Sequence, residues 1–494
     1  MPGCTDLKGE TTIVVLGASG DLAKKKTFPS LLRLFLHGNL PKDTFIFGYA
    51  RTKMDEKEFH ERIVPNLKAS DEEIKRFLEI CKYIPGAYDE DEAFENLTKE
   101  IEKFEKQRGG SKHNRIFYMA LPPNVFSPVS AHLKRNCYSS SGVNRVVVEK
   151  PFGKDLESCQ KLIAEMKEKW SEQETFRIDH YLGKEMVKNI LPFRFSNPVV
   201  NASLNNKLVD NVQITFKEPF GTEGRGGYFD EFGIIRDIQQ NHLCQMFCLL
   251  AMDEPEDFTA ESIRDKKVKL LKETRPISTD QVLIGQYSAA NGKPGYKDDD
   301  TVPKDSNTPT FAAVVLYVDN ERWKDVPFII KAGKALDEGK VDVRVQYKEP
   351  TQQMLRSVAR DELVIRVQPD EAIYFKSNTK LPGQGDASVP VELDLTYSKR
   401  FKDAYIPEAY EALIHDCIRG EHSNFVRDDE LEASWAIFTP LLHAIDNGKV
   451  ASTTYPYGSR GPEKLDEFLT KFGYKFAENY QWPVTNVADI AAKV

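Results

Sequence analysis

The chain has 494 residues, 40% hydrophobic and 29% charged, which describes a globular protein with room for two to three ordinary domains. A net charge of −8 argues against chain-wide affinity for nucleic acid and leaves only local basic pockets. Seven cysteines without a Cys-x-x-Cys pair argue against a disulfide framework and fit a reducing compartment. No apolar run reaches membrane-spanning length and no signal-peptide core precedes the first strand, so the cytosol is expected, with neither membrane nor nucleic acid as partner.

The first third alternates unbroken apolar runs at 13–16, 45–47, 116–118 and 146–148 with helical patterns at 22–36 and 94–104. Unbroken runs predict strands buried on both faces, hence a parallel sheet covered by helices. After the first strand come Gly17, Ala18, Ser19, Gly20, Asp21 and Leu22. Glycines there permit a tight turn and let the backbone approach a pyrophosphate at the following helix N-terminus. The spacing is Gly-x-x-Gly rather than Gly-x-Gly-x-x-Gly, and position makes it a dinucleotide loop. The second strand ends in Gly48, Tyr49, Ala50 and Arg51. An arginine where NAD-binding domains place a carboxylate can pair with a 2′-phosphate, which points to NADP. Lys150, between Glu149 and Pro151, closes the last buried run and faces the ligand crevice, and Pro151 permits a cis bond.

The stretch from Arg177 to Lys184 joins a strand end to a helical pattern, so His180 and Lys184 are expected one helical turn apart at a helix start. With Tyr181 they make a phosphate seat. The domain boundary is placed here: 1–180 for a doubly wound Rossmann-like domain, 181–494 for a larger α+β domain with a mainly antiparallel sheet. The change of period supports this, because 212–217, 341–347, 363–367 and 391–395 alternate strictly. Helical patterns cover 232–252 and 409–418, and 289–308 reads as an exposed loop. Segment 221–227 holds four glycines beside Glu218, Glu223 and Arg225. The helix after it carries Asp237 and His242, five residues apart and so about 140° around an α-helix, too far for a direct pair. His242 is the candidate base, since an imidazole titrates near neutrality, and Asp179 is the best candidate to orient it.

Segments 17–24, 149–152, 177–185, 216–242, 333–336, 362–369, 438–443 and 457–462 together resemble the glucose-6-phosphate dehydrogenase family, in order over nearly the whole chain. The resemblance implies an NADP-dependent oxidoreductase of glucose metabolism that converts β-D-glucose 6-phosphate to 6-phospho-D-glucono-1,5-lactone, the entry to the oxidative pentose phosphate pathway. It implies His242 as base and Asp179 as its partner. Substrate would meet Lys150, His180, Tyr181, Lys184, Glu218, Asp237, Lys334 and Gln368. The cofactor would meet Gly17, Ser19, Gly20, Asp21, Leu22, Lys26, Arg51 and Lys150, and no metal is called for. Eukaryotic members hold a second, structural NADP, whose matching positions are Lys340, Arg344, Arg366, Tyr374, Lys376, Asp394, Arg460, Tyr480 and Trp482. Lys331 and Gly339 stand where animal members have arginines, and Phe476 where they have tyrosine, which weakens phosphate recognition. The resemblance also implies a homodimer or homotetramer, with the larger domain supplying the dimer contact.

Overall fold

A computed structural model describes residues 6–349, 359–380, 382 and 388–475. The chain divides into two compact units, one of Met1–Glu185, Pro255–Lys266 and Ile406–Glu432, the other of Met186–Glu254, Lys267–Tyr405 and Ala433–Val494.

The first unit is built on β1 (Thr11–Leu16), β2 (Thr44–Ala50), β3 (Cys81–Pro85), β4 (Asn114–Met119), β5 (Asn144–Val148) and β6 (Thr175–Arg177) in the order β3-β2-β1-β4-β5-β6. Every pairing is parallel. β1, β4 and β5 are buried along their whole length, as their unbroken apolar runs require. The strand order reverses between β1 and β4, which opens a crevice at their carboxyl ends. The helix Ala409–Arg419 belongs to this unit: its Leu413, Ile414, Cys417 and Ile418 share one core with Ile13, Val15 and Ile46. Arg145 at the start of β5 donates to the Ile418 carbonyl at 2.8 Å and so caps that helix from the sheet.

The second unit holds a nine-stranded sheet of β7 (Val209–Lys217), β8 (Val282–Ser288), β9 (Phe311–Leu316), β10 (Phe328–Gly333), β11 (Lys340–Tyr347), β12 (Glu362–Gln368), β13 (Ala372–Lys380), β14 (Ser388–Thr396) and β15 (Ser452–Pro456). Their order is β14-β13-β12-β11-β7-β10-β9-β8-β15. Only β7/β10 and β8/β15 pair in parallel, so the sheet is mixed and mostly antiparallel. The helix Cys244–Ala251 is buried all round, with Cys244 and Cys248 as core thiols outside any disulfide. Ahead of it, Ile235–Leu243 is π-helical. This corrects the α-helical geometry expected for Asp237 and His242, because one turn of i→i+5 bonding brings residues five apart towards one face. Gln239, fully buried, ties this turn to the sheet by donating to the carbonyls of Ala312 (2.7 Å) and Ile330 (3.2 Å). No helix among the described residues is long and apolar enough to cross a membrane.

Candidate functional site

In the first unit the loop after β1 is locked into a tight turn. Gly17 has φ +81°, and a Cβ there would lie 2.2 Å from the Ala120 carbonyl oxygen. The N–H groups of Gly17 and Ala18 both donate to Tyr49 at the end of β2, at 2.8 and 3.2 Å. The chain is helical from Asp21 onward. The Thr52 hydroxyl donates to that of Ser19 at 3.0 Å, joining the loop to the end of β2. Arg51 is exposed, with its guanidinium 5.4 Å from the centre of the Tyr88 ring. Burial raises the Tyr88 phenol, and Arg51 and hydrogen bonds from the Gly17 and Arg51 backbone oppose that rise. Tyr88 was missed in the sequence because it lies beyond β3, whose own run is interrupted by Lys82.

Asp21 is exposed and paired with Lys25 (3.0 Å) and Lys24 (3.2 Å), which hold its carboxyl below the usual range. Lys26 lies 3.6 Å from Glu408. A left-handed glycine turn and a hydroxyl after β1, an ammonium on the helix that follows, and a guanidinium and a second hydroxyl at the end of β2 fit a dinucleotide that carries an extra phosphate.

The second cluster of the unit follows β6. Asp179 accepts from the Tyr181 N–H at 3.0 Å and starts a 3₁₀ turn, His180–Gly183. Lys184 is extended, and the short helices Glu185–Lys188 and Ile190–Phe195 begin only after it. This corrects the expected helical spacing: His180 and Lys184 do not share a helix, and the segment that carries them is a turn rather than a helix N-terminus. The turn is seated on the helix Ala409–Arg419, where a Cβ at Gly183 would come 2.3 Å from the Ala409 carbonyl oxygen. The His180 ring stacks on Tyr410 at 5.7 Å and 9°, and the Lys184 ammonium sits 5.1 Å over the Tyr181 ring.

Behind Lys150, whose bond to Pro151 is cis, lies Glu149, only 4% exposed. It accepts from the Tyr118 hydroxyl at 2.5 Å. Burial pushes this carboxyl up to about 7, reinforced by Asp179 and opposed by Tyr118 and Lys150. Between about 4.5 and about 7 the folded protein therefore holds a proton that the unfolded chain has released. The resulting stabilisation is full below about 4.5, falls as pH rises, and is gone above about 7. Denaturant titrations at pH 5 and pH 8 are expected to show a loss of about 2–3 kcal/mol that Glu149→Gln largely abolishes. Equal pH slopes in the two proteins would refute this account of Glu149.

In the second unit, Glu218 and Lys334 form an ion pair. The Glu218 backbone is joined to residues on either side of Lys334, with Glu218 N–H donating to the Gly333 carbonyl at 2.9 Å and Leu336 N–H to the Glu218 carbonyl at 2.9 Å. The Lys334 ammonium also lies 5.3 Å over the Phe229 ring. His242 is 1% exposed, while Asp237 on the same π-helical segment is half-buried. The glycine-rich loop before that segment is clasped by residues expected to form an exposed loop. Gly226 N–H donates to Asp299 at 3.2 Å, Gly227 N–H to Thr301 at 2.8 Å, and the buried Tyr296 hydroxyl to Asp230 at 2.7 Å. Tyr296, Val302 and Ser306 are buried, which corrects the reading of 289–308 as merely exposed. Gln368 ends β12, half-buried, before a cis bond to Pro369.

Residues 14–189 match the glucose-6-phosphate dehydrogenase NAD binding domain, and residues 191–482 match the glucose-6-phosphate dehydrogenase C-terminal domain. The chain belongs to the glucose-6-phosphate dehydrogenase family. It is 58% identical to a glucose-6-phosphate 1-dehydrogenase of Emericella nidulans, over 97% of this chain and 96% of that one. It is 51% identical to that of Saccharomyces cerevisiae, over 99% of both. A solved glucose-6-phosphate dehydrogenase in complex with its substrate glucose-6-phosphate is similar with a TM-score of 0.93 at 50% identity, over 96% of this chain and 100% of that chain. The N-terminal match carries a nicotinamide dinucleotide cofactor with it.

Within this glucose-6-phosphate dehydrogenase family frame, most positions expected for a second dinucleotide fall on one sheet face. Arg344 lies opposite Val364, Val364 opposite Tyr374 and Tyr374 opposite Asp394, while Asp342 lies opposite Arg366. Period-two alternation adds Lys340 and Lys376 to that face. The cations there are already matched by buried carboxylates: Lys340 to Asp342 at 3.1 Å, Arg344 to Glu362, and Lys376 to Glu362 at 3.8 Å. Lys331 donates to Gln213 at 3.0 Å, and burial beside Lys217, Lys340 and Arg344 pushes its ammonium down to about 7, with Asp342 opposing. Arg366 donates to the Pro369 carbonyl at 2.6 Å, and Arg460 pairs with Asp466 at 3.1 Å. Tyr480, Trp482 and Phe476 lie outside the described residues.

Proposed function

We propose that this protein oxidises β-D-glucose 6-phosphate at C1, giving 6-phospho-D-glucono-1,5-lactone and NADPH as the first step of the oxidative pentose phosphate pathway. The observation that carries the reading is the family match across both halves of the chain, with every expected catalytic and substrate-binding residue type present. NADP⁺, when bound, supplies the hydride acceptor. A ring nitrogen of His242 takes the C1 hydroxyl proton, and Asp179 orients the imidazole and stabilises the cation that forms. His180, Tyr181 and Lys184 bind the substrate phosphate. Lys150, Glu218, Asp237, Lys334 and Gln368 hold the sugar in place.

Gly17, Ser19, Gly20, Asp21, Leu22 and Lys26 cradle the dinucleotide in the domain assigned to 1–180, and Arg51 selects its 2′-phosphate. The charged face around Arg344 takes a second, structural NADP in the domain assigned to 181–494. That domain also supplies the contact of a homodimer or homotetramer, and the cytosol is the working compartment.

The test is initial rates with glucose 6-phosphate and either NADP⁺ or NAD⁺, on the wild type and on Arg51→Ala. The wild type is expected to prefer NADP⁺. Loss of one charge-assisted phosphate contact should raise its KM roughly 10- to 100-fold and leave that of NAD⁺ within about threefold. A wild type that forms no NADPH with glucose 6-phosphate would overturn the reaction. An Arg51→Ala protein with unchanged preference would overturn the cofactor assignment alone.

A further inference from the structure

We propose that Tyr410 is a positioning residue for the sugar phosphate, its ring fixing the plane from which the His180 imidazole meets the anion. The inference rests on the reading of His180 as a phosphate contact. The two rings lie 5.7 Å apart and within 9° of parallel, an offset stack at ordinary aromatic spacing. A histidine ring turns about a broad, soft torsion, so a flat partner on one face narrows the directions in which its N–H groups point.

Tyr410 is well placed for this because it does not itself move easily. It is the second residue of the helix Ala409–Arg419, whose far end is capped by Arg145 and whose Leu413, Ile414 and Cys417 are in the core. The near end is held by Arg33, 3.4 Å from Glu408 and 3.9 Å from Glu411. The 3₁₀ turn bearing His180 packs on the same helix end through Gly183 and Ala409. Lys26 of the cofactor loop meets Glu408 there as well, so one helix end supports both ligand loops of the first unit.

The charged groups bearing on Tyr410 are Glu149, Asp179 and Glu408, which together with burial hold its hydroxyl in the neutral form. The ring thus offers its electron-rich face to the imidazole without bringing a negative charge of its own towards the phosphate.

Steady-state kinetics on Tyr410→Phe, Tyr410→Leu, His180→Ala and the double variant test the proposal. Tyr410→Phe keeps the ring and should stay within about twofold of wild type. Tyr410→Leu should raise the KM for glucose 6-phosphate roughly three- to tenfold, with kcat and the KM for NADP⁺ nearly unchanged. It should add nothing in the His180→Ala background, as a coupled pair requires. The His180 ring-proton resonances should move downfield in Tyr410→Leu as the ring current is lost. If the leucine variant does not fold, Tyr410→Met fills similar space without a ring and carries the same expectations. An unchanged KM in the ringless variant, or an effect fully additive with His180→Ala, overturns the positioning role while the phosphate reading stands. An unchanged KM in His180→Ala overturns the phosphate reading and the proposal with it.

Discussion

His242→Asn is expected to lower kcat by roughly 10³–10⁴-fold while the KM for glucose 6-phosphate changes less than about threefold. Asparagine keeps the approximate size and hydrogen-bonding capacity of the side chain but has no basic nitrogen, so under the proposed role of His242 the C1 hydroxyl would lose its proton acceptor. The local fold should tolerate the change. The π-helical segment is held by Gln239 on two sheet carbonyls and by Asn241, whose side-chain amide donates to the carbonyls of Arg236 (3.1 Å) and Asp237 (3.0 Å). None of these bonds uses the imidazole. Single-turnover rates with substrate affinity measured by calorimetry separate the effects: retained binding with lost chemistry supports the base assignment. Turnover within tenfold of wild type would remove His242 from the chemistry. Asp179→Asn should cost less, on the order of 10²-fold, because it weakens the base without deleting it.

The first sheet was legible because its central strands are unbroken apolar runs buried on both faces, and local composition alone demands that. β3 was not, since Lys82 interrupts it. In the second sheet the alternating strands β7, β11, β12 and β14 were legible. β9, Phe311–Leu316, is buried at every residue within an antiparallel pairing and so shows no alternation to read.

The residue types of the site were visible, but two of their geometries were not. Nine residues are too few for apolar spacing to tell a π turn from an α turn, and the difference lies in the hydrogen-bond ladder, which Gln239 ties down only once the sheet is in place. The 3₁₀ turn at His180 is imposed by Gly183 against Ala409, a contact far apart in sequence. For the same reason, nothing local marked Tyr410 as a neighbour of His180, or assigned Ile406–Glu432 to the first unit.

Gly17→Ala should weaken NADP⁺ binding by at least about 100-fold, whereas Gly20→Ala should change it only a few-fold. Both are glycines of one loop, and they differ in what a methyl group would meet. At Gly17 it would sit 2.2 Å from a backbone oxygen, that of Ala120, at a backbone angle of φ +81°. The left-handed conformation alone costs alanine only about 1 kcal/mol. The collision is the larger effect, because the obstacle is main chain leading out of β4 and cannot rotate away. The loop must instead shift, breaking the paired bonds from Gly17 and Ala18 to Tyr49 and moving Ser19 away from Thr52. A displacement near 1 Å in a positioning element is enough for roughly 100-fold.

At Gly20 the nearest atom is the Gly17 oxygen at 3.1 Å, a contact that a few tenths of an ångström relieve. Dissociation constants from calorimetry, read beside thermal melts of both variants, decide the matter. Affinities for Gly17→Ala within a few-fold of wild type would mean that this turn does not hold the dinucleotide. Equal losses in the two variants would mean that glycine is needed there for open space around the ligand rather than for the close approach of the loop to β4.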